Sequence, residues 1–374
     1  MFNPSLESSC CNENVRVYTG VRPSAGFTLI ELLISITLGL LLVAAASQLF
    51  FSGVIGVRLQ QAGSDTQDNG LFGLDFMSKD IRLANFGNTN YLNLTDNTTM
   101  GGIVLSADTS SSLNSNLPLV RTTYSPGSYL PAGLLSHGDG DALGTTNQWQ
   151  GLSNVTTSGG AALASDQLTI LYQAPAAMIN CAGNPVSAGD YVLERFFLRA
   201  DSVGPATTSG NANLVLACDA GIIISGLNVT PAPVGSVAAS SAPPSPAAIV
   251  PSVVCTKFAT PTTCATAFGG AGQTIMSRVD YLHFMLGTKT SSGNMAYYSI
   301  NQYMALTAPK PRIVSVQVAA LVRSLDNTGS ATVKTSATYT MFDQTVKPTS
   351  TAGGFVRKPY VTTVALRNAL GSVS

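Results

Sequence analysis

The chain has 374 residues, 19 of them basic and 19 acidic, and is only 10% charged, well below the roughly 25% usual in soluble globular proteins. It carries no large basic footprint, which argues against a dedicated nucleic-acid binder. Serine, threonine, glycine and asparagine must therefore do much of the surface solvation that charges normally provide.

Residues 1–25 form a polar stretch with Arg16 and Arg22 set against Glu7 and Glu13; the arginines favour keeping this end in the cytoplasm. Residues 32–57 then contain no ionisable side chain. At about 1.5 Å per residue, a helix of that length exceeds a hydrocarbon core of about 30 Å. Glu31 lies at the first turn of this apolar run, where burial in lipid costs a few kcal/mol unless the carboxylate is paired. Two plain readings compete here. An uncut single-pass anchor leaves Glu31 unexplained, and a secretory signal peptide ending at Ala44-Ala45-Ala46 is opposed by the charge within its apolar region.

Gly26-Phe27-Thr28-Leu29-Ile30-Glu31 resembles the class III leader junction of type IV pilins and pseudopilins: a glycine, an aromatic, and a glutamate four residues past it, opening a long apolar helix. The resemblance implies that a prepilin peptidase cuts after Gly26 and N-methylates Phe27. It also implies that Glu31 pairs with the terminal amine of a neighbouring subunit, an arrangement favoured by the helix dipole and by the cationic amine. The leader is longer than usual for type IV pilins and has Ser24-Ala25 where a basic residue is common. A mature chain starting at Phe27, at Ser47 or at Met1 distinguishes the pilin, signal-peptide and anchor readings.

From Arg58 the helix is expected to leave the membrane and become amphipathic, with Leu71, Leu74, Met77, Ile81 and Ala84 forming one apolar stripe. Asp75 and Lys79 have the order of a solvated i,i+4 pair, and Asn85 with Gly87 supplies a stop. Several glycines interrupt this helix, so bends or melting are expected between Gly53 and Gly70. Residues 88–165 read as loops with short strands. Within them His137-Gly138-Asp139-Gly140-Asp141 could offer oxygens to calcium, but it lacks the EF-hand pattern and reads better as a turn.

Strands are predicted at 166–172, 191–198, 213–217 and 221–225. A Pro/Ala/Ser-rich insertion at about 229–253 follows and cannot sustain a helix or central strand. A second set of strands is predicted at 275–286, 296–301, 312–323, 331–341 and 355–367.

Six cysteines are present. Cys10 and Cys11 fall in the leader. Cys181, Cys218, Cys255 and Cys264 remain in a region the topology sends outward, where disulfides are the default. Four cysteines allow three pairings; short loops favour Cys181 with Cys218 and Cys255 with Cys264, each contributing roughly 2–4 kcal/mol. Their spacing and the scarcity of histidine argue against structural zinc. No catalytic or cofactor motif is recognisable, and His283, in Leu282-His283-Phe284, reads as a satisfied, half-buried imidazole.

Residues 69–86, ending near Asp80-Ile81-Arg82, resemble the PilW-type minor pilins. So do Ser165-Asp166-Gln167-Leu168-Thr169-Ile170, Cys181-Ala182-Gly183, Leu216-Ala217-Cys218, Arg278-Val279-Asp280-Tyr281-Leu282 and Val364-Ala365-Leu366-Arg367-Asn368. The expected fold is α+β and type IV pilin-like, a long N-terminal helix packed on a large β-rich domain. Residues 1–26 are the expected leader, 27–57 the membrane-spanning and assembly half of the helix, 58–87 its amphipathic half, and 88–374 the β-rich periplasmic or surface domain. The resemblance implies an inner-membrane minor pilin that primes a pilus with other minor pilins and the major pilin, at or near the tip and with a tip adhesin as a further partner. A type II secretion pseudopilin, or a pilus-carried adhesin or DNA-uptake component, is the alternative.

Overall fold

The computed structural model describes residues 26–88, 93–108, 115–118, 130–145, 147–203, 205–208, 210–224, 253–255, 258–260, 263–264, 268–328, 337–350 and 354–369. The leader, nearly all of the proline-rich insertion and the first part of the expected strand 331–341 lie outside them.

Helix α1 runs from Leu29 to Leu83, so the melting expected at its glycines does not occur. The chain divides into two compact units, Met1–Val54 and Ile55–Ser374. In the first, the apolar side chains are solvent-facing all round the helix; Leu29, Leu40, Leu42, Phe50 and Phe51 are among them. A helix apolar on every side is one whose surroundings are apolar too. This segment is long and apolar enough to cross a membrane.

In the second unit the helix becomes one-sided. Leu74, Met77 and Ile81 are buried, as is Ala84 just beyond the helix, whereas Leu71 of the predicted stripe is 53% exposed. Two glycines explain why this half stays helical and close to its neighbours. A Cβ on Gly70 would come within 2.5 Å of the Tyr360 ring, and one on Gly73 would collide with the Met276 side chain. Asn85 (φ 66°) and Gly87 (φ 83°) then take left-handed conformations and end the helix, as predicted.

The body contains strands β1 (Val155–Thr157), β2 (Leu168–Gln173), β3 (Tyr191–Ala200), β4 (Leu214–Ile224), β5 (Val253–Cys255), β6 (Gln273–Ser277) and β7 (Val279–Lys289). After these come β8 (Met295–Ser299), helix α2 (Ile300–Met304), β9 (Arg312–Arg323), β10 (Tyr339–Met341), β11 (Gln344–Pro348) and β12 (Arg357–Ala365). One sheet has the order β5-β4-β3-β2, with β6 also paired to β4; a second has the order β8-β7-β9-β12; a third has β10-β11-β1. All these pairings are antiparallel. Central strands such as β3, β7 and β9 are buried on both faces, which is why they read as apolar runs without clean alternation. One core joins Leu74, Met77 and Ile81 of the helix to Ile170, Val192, Phe196 and Leu216 of the first sheet and to Leu282, Val316 and Val364 of the second.

Three strand predictions need correction. The segments 213–217 and 221–225 are one strand, β4, because Asp219, which looks like a turn residue, is paired with Arg195 inside the sheet. The segment 275–286 is two strands: Arg278 takes φ 56°, letting β6 join the first sheet and β7 the second. The segment 296–301 stops at Ser299, whose side chain accepts from Gln302 N–H while the Gln302 side chain accepts from Ser299 N–H. That capping box starts α2.

Candidate assembly segment and buried charge network

At the start of α1, Thr28 Oγ1 accepts the Glu31 N–H at 3.3 Å and Thr28 O accepts the Leu32 N–H at 3.1 Å. Thr28 thus caps the helix: its side chain satisfies one amide that a helix N-terminus otherwise leaves open and its carbonyl accepts the first i→i−4 bond, and Glu31 lies in the first turn, where the helix dipole favours an anion. Phe27 is 81% exposed. Among the described residues no cation pairs with the Glu31 carboxylate. Gly26 has nothing within 4 Å of where its Cβ would stand. Nothing in the packing of the described residues therefore demands a glycine there. Along the same segment the hydroxyls of Ser35, Thr37, Ser47 and Ser52 donate to carbonyls of Glu31, Ile34, Val43 and Leu49 at 2.7–2.9 Å. Those polar groups are satisfied within the helix, as an apolar surrounding requires. Ala44, Ala45 and Ala46 lie in mid-helix.

The body solves its charge problems internally. Asp280 Oδ1 accepts from Asn154 Nδ2 (2.8 Å) and Arg323 Nε (3.1 Å), and Oδ2 accepts from Arg357 Nε (2.6 Å). Arg323 also lies over the Phe355 ring at 4.6 Å. His283 stands between two carboxylates, with Nδ1 2.8 Å from Asp166 and Nε2 2.9 Å from Asp343. Burial alone would lower the imidazole pKa, but Asp166 and Asp343 outweigh it and push it up to about 10. A carboxylate at each ring nitrogen favours the protonated ring, which can donate from both N–H groups. Arg195, buried against the Phe197 ring, donates to Asp219 (3.4 Å), Gly270 O (2.9 Å) and Asn147 O (2.8 Å). Sequence reading picks out His283 and the segments holding Asp166 and Asp280. It misses Arg195, which lies within an apolar strand, and Arg323 and Arg357, which stand at strand ends where a charge is unremarkable.

The His137–Asp141 segment is a turn. Asp141 Oδ2 is held by His137 Nδ1 at 2.9 Å and by the Gly138 N–H at 3.0 Å, and Asp139 Oδ1 accepts the Ala164 N–H at 2.7 Å. Those carboxylate oxygens are committed to the loop and to the backbone of Ala164. Cys181 and Cys218 form a disulfide, one of the two pairings expected; the side chains of Cys255 and Cys264 lie outside the described residues, as do Cys10 and Cys11.

Residues 21–47 match the profile of the prokaryotic N-terminal methylation motif, so the class is that of chains with a prepilin-type N-terminus. Residues 236–368, about a third of the chain, match the profile of the type IV pilus-assembly protein W family. Among solved structures, a type IV-like pilin from Thermus thermophilus is similar over 55% of this chain and 79% of its own, with 11% identity and a TM-score of 0.24, and no argument rests on that likeness. No curated protein matches.

Proposed function

We propose that this chain is a minor pilin of a type IV pilus. In this reading a prepilin peptidase removes residues 1–26 and methylates the amine of Phe27. Residues 27–57 then hold the protein in the inner membrane until it is drawn into the filament, with 58–374 on the periplasmic side. It primes assembly with other minor pilins and the major pilin and stays at or near the tip. The role is structural rather than catalytic.

The observation that carries this is the first unit of α1: an apolar surface on all sides, with one carboxylate in its first turn that no described cation neutralises. A bundle of such helices replaces lipid contacts with packing, and the terminal amine of an adjacent subunit supplies the positive charge Glu31 lacks. The PilW-family segment in the body supports a pilus over a secretion pseudopilin. The test is N-terminal sequencing of the mature protein together with its recovery in sheared filaments. Gly26→Leu is expected to leave the leader attached. Glu31→Gln is expected to insert in the membrane normally and to be depleted from filaments; normal piliation by that variant would count against the pairing.

A further inference from the structure

Glu194 is the only acid in β3 and lies on the strand face that looks toward α1. Its register partners are Ile170 and Ala220, and its same-face neighbours Val192 and Phe196 share a core with Leu74, Met77 and Ile81. The residue has no exposed surface. Oε1 accepts the Tyr172 hydroxyl at 3.0 Å and the Cys181 N–H at 2.9 Å, whereas Oε2 is buried and has no hydrogen-bond partner. The helix contributes a second acid, Asp80, one turn from both Met77 and Ala84. Among the described residues the nearby ammonium is that of Lys79, engaged with Asp75 at 3.0 Å on the exposed side. The disulfide of Cys181 and Cys218 does not titrate, and Arg195 lies on the opposite face with Asp219. Tyr172 is the remaining titratable group at the seam, and burial, then Glu194 and Asp80, hold it protonated.

Two carboxylates in one apolar seam without a cation cannot both ionise cheaply. Burial raises the Glu194 pKa and Asp80 raises it further, against the Cys181 N–H and Tyr172; burial likewise raises Asp80, against Lys79. A carboxylic acid, unlike a carboxylate, has an O–H to donate, and Oε2 is the oxygen left free to carry it. We propose that Glu194 keeps its proton in the folded chain, with Asp80 on the helix opposing its loss, making the seam between the helix and the first sheet a latch that loosens when the proton leaves.

The sign follows from linkage. Above the ordinary carboxylate range the unfolded chain has released this proton and the folded chain has kept it. The unfolding equilibrium constant therefore rises about tenfold per pH unit, until the folded seam deprotonates as well. Urea unfolding of the full chain in detergent micelles across about pH 5 to pH 9 measures this slope. Glu194→Gln, which keeps both Oε1 contacts and supplies a permanent donor, is expected to lower the slope to the part left by His283 and Asp80 and to be the more stable protein at alkaline pH. Asp80→Asn removes the repulsion along with the titration of Asp80 itself, so the Glu194 part of its slope should level off at a lower pH than in the wild type. Infrared spectra should contain a protonated-carboxyl band at neutral pH that is weaker in Glu194→Gln. Amides of residues 74–84 should lose hydrogen-exchange protection with rising pH, after correction for intrinsic rates, before those of β9 do. A wild-type slope in Glu194→Gln, or a wild-type spectrum without the band, overturns the proposal.

Discussion

Glu31 and Asp280 pose the same problem, a carboxylate among apolar residues, and the chain answers it in opposite ways. Asp280 is fully buried and receives Asn154, Arg323 and Arg357 from its own body. Glu31 lies on a helix whose apolar side chains face outward, and among the described residues nothing cationic reaches its carboxylate. One acid is finished within the fold, whereas the other has a satisfied backbone and an open side chain. Partnering by the same chain makes a residue structural. A charge placed in apolar surroundings and left open marks a surface completed by association, and in the reading proposed above that surface is completed by a sister helix.

The contrast is sharpest when the structural acid is removed. Asp280→Ala leaves two buried guanidiniums without their carboxylate, and breaking a buried pair of this kind typically costs about 3–5 kcal/mol. A lowered urea midpoint with unchanged m-value would register it. Glu31→Ala should leave the unfolding of the body where it was. Equal destabilisation by the two would erase the distinction.

A second, smaller effect concerns the acids around His283. Its folded pKa lies above the ordinary imidazole value, so the stability it contributes is fully present below that ordinary value. It declines as pH rises and is lost once pH passes about 10. With the ring largely buried, the effect is on the order of 3 kcal/mol. The stability difference between wild type and His283→Gln should narrow along that course, and a pH-independent difference would mean that shape rather than charge holds the site together.

What sequence could and could not disclose follows the same division. The candidate assembly site was legible because it is contiguous: the junction, the acid and the uncharged run occupy neighbouring positions. The helix stop at Asn85 and Gly87 and the strand from Arg312 to Arg323 were legible for the same reason, being local pattern. Asp280 could not be matched to its partners, which lie 43, 77 and 126 residues away in the chain. Nor could the corner at Arg278 be read, since nothing in that residue's type favours a left-handed conformation. The glycines of α1 misled most. Propensity counts each as a weak point, but Gly70 and Gly73 are notches for Tyr360 and Met276, residues from strands that propensity does not see.

Those glycines give the finest separation of the two helix halves. In the body, Gly73→Ala drives a methyl into Met276, and Gly70→Ala drives one into the face of the Tyr360 ring. Overpacking of this kind costs about 1–3 kcal/mol, against a gain of up to about 1 kcal/mol from helix propensity. Net destabilisation should follow, smaller at Gly73, where the obstacle includes the flexible end of a methionine, than at Gly70, where the ring has to move as a whole. At Gly39 and Gly53 no described atom stands within 4 Å of the added carbon. Alanine there gains propensity without a clash, so helix content should hold or rise and the melting of the body should not change. Thermal melts of the four single variants decide the matter. If Gly70→Ala proves as harmless as Gly39→Ala, the close approach of helix and sheet is not what keeps the lower half of α1 in place.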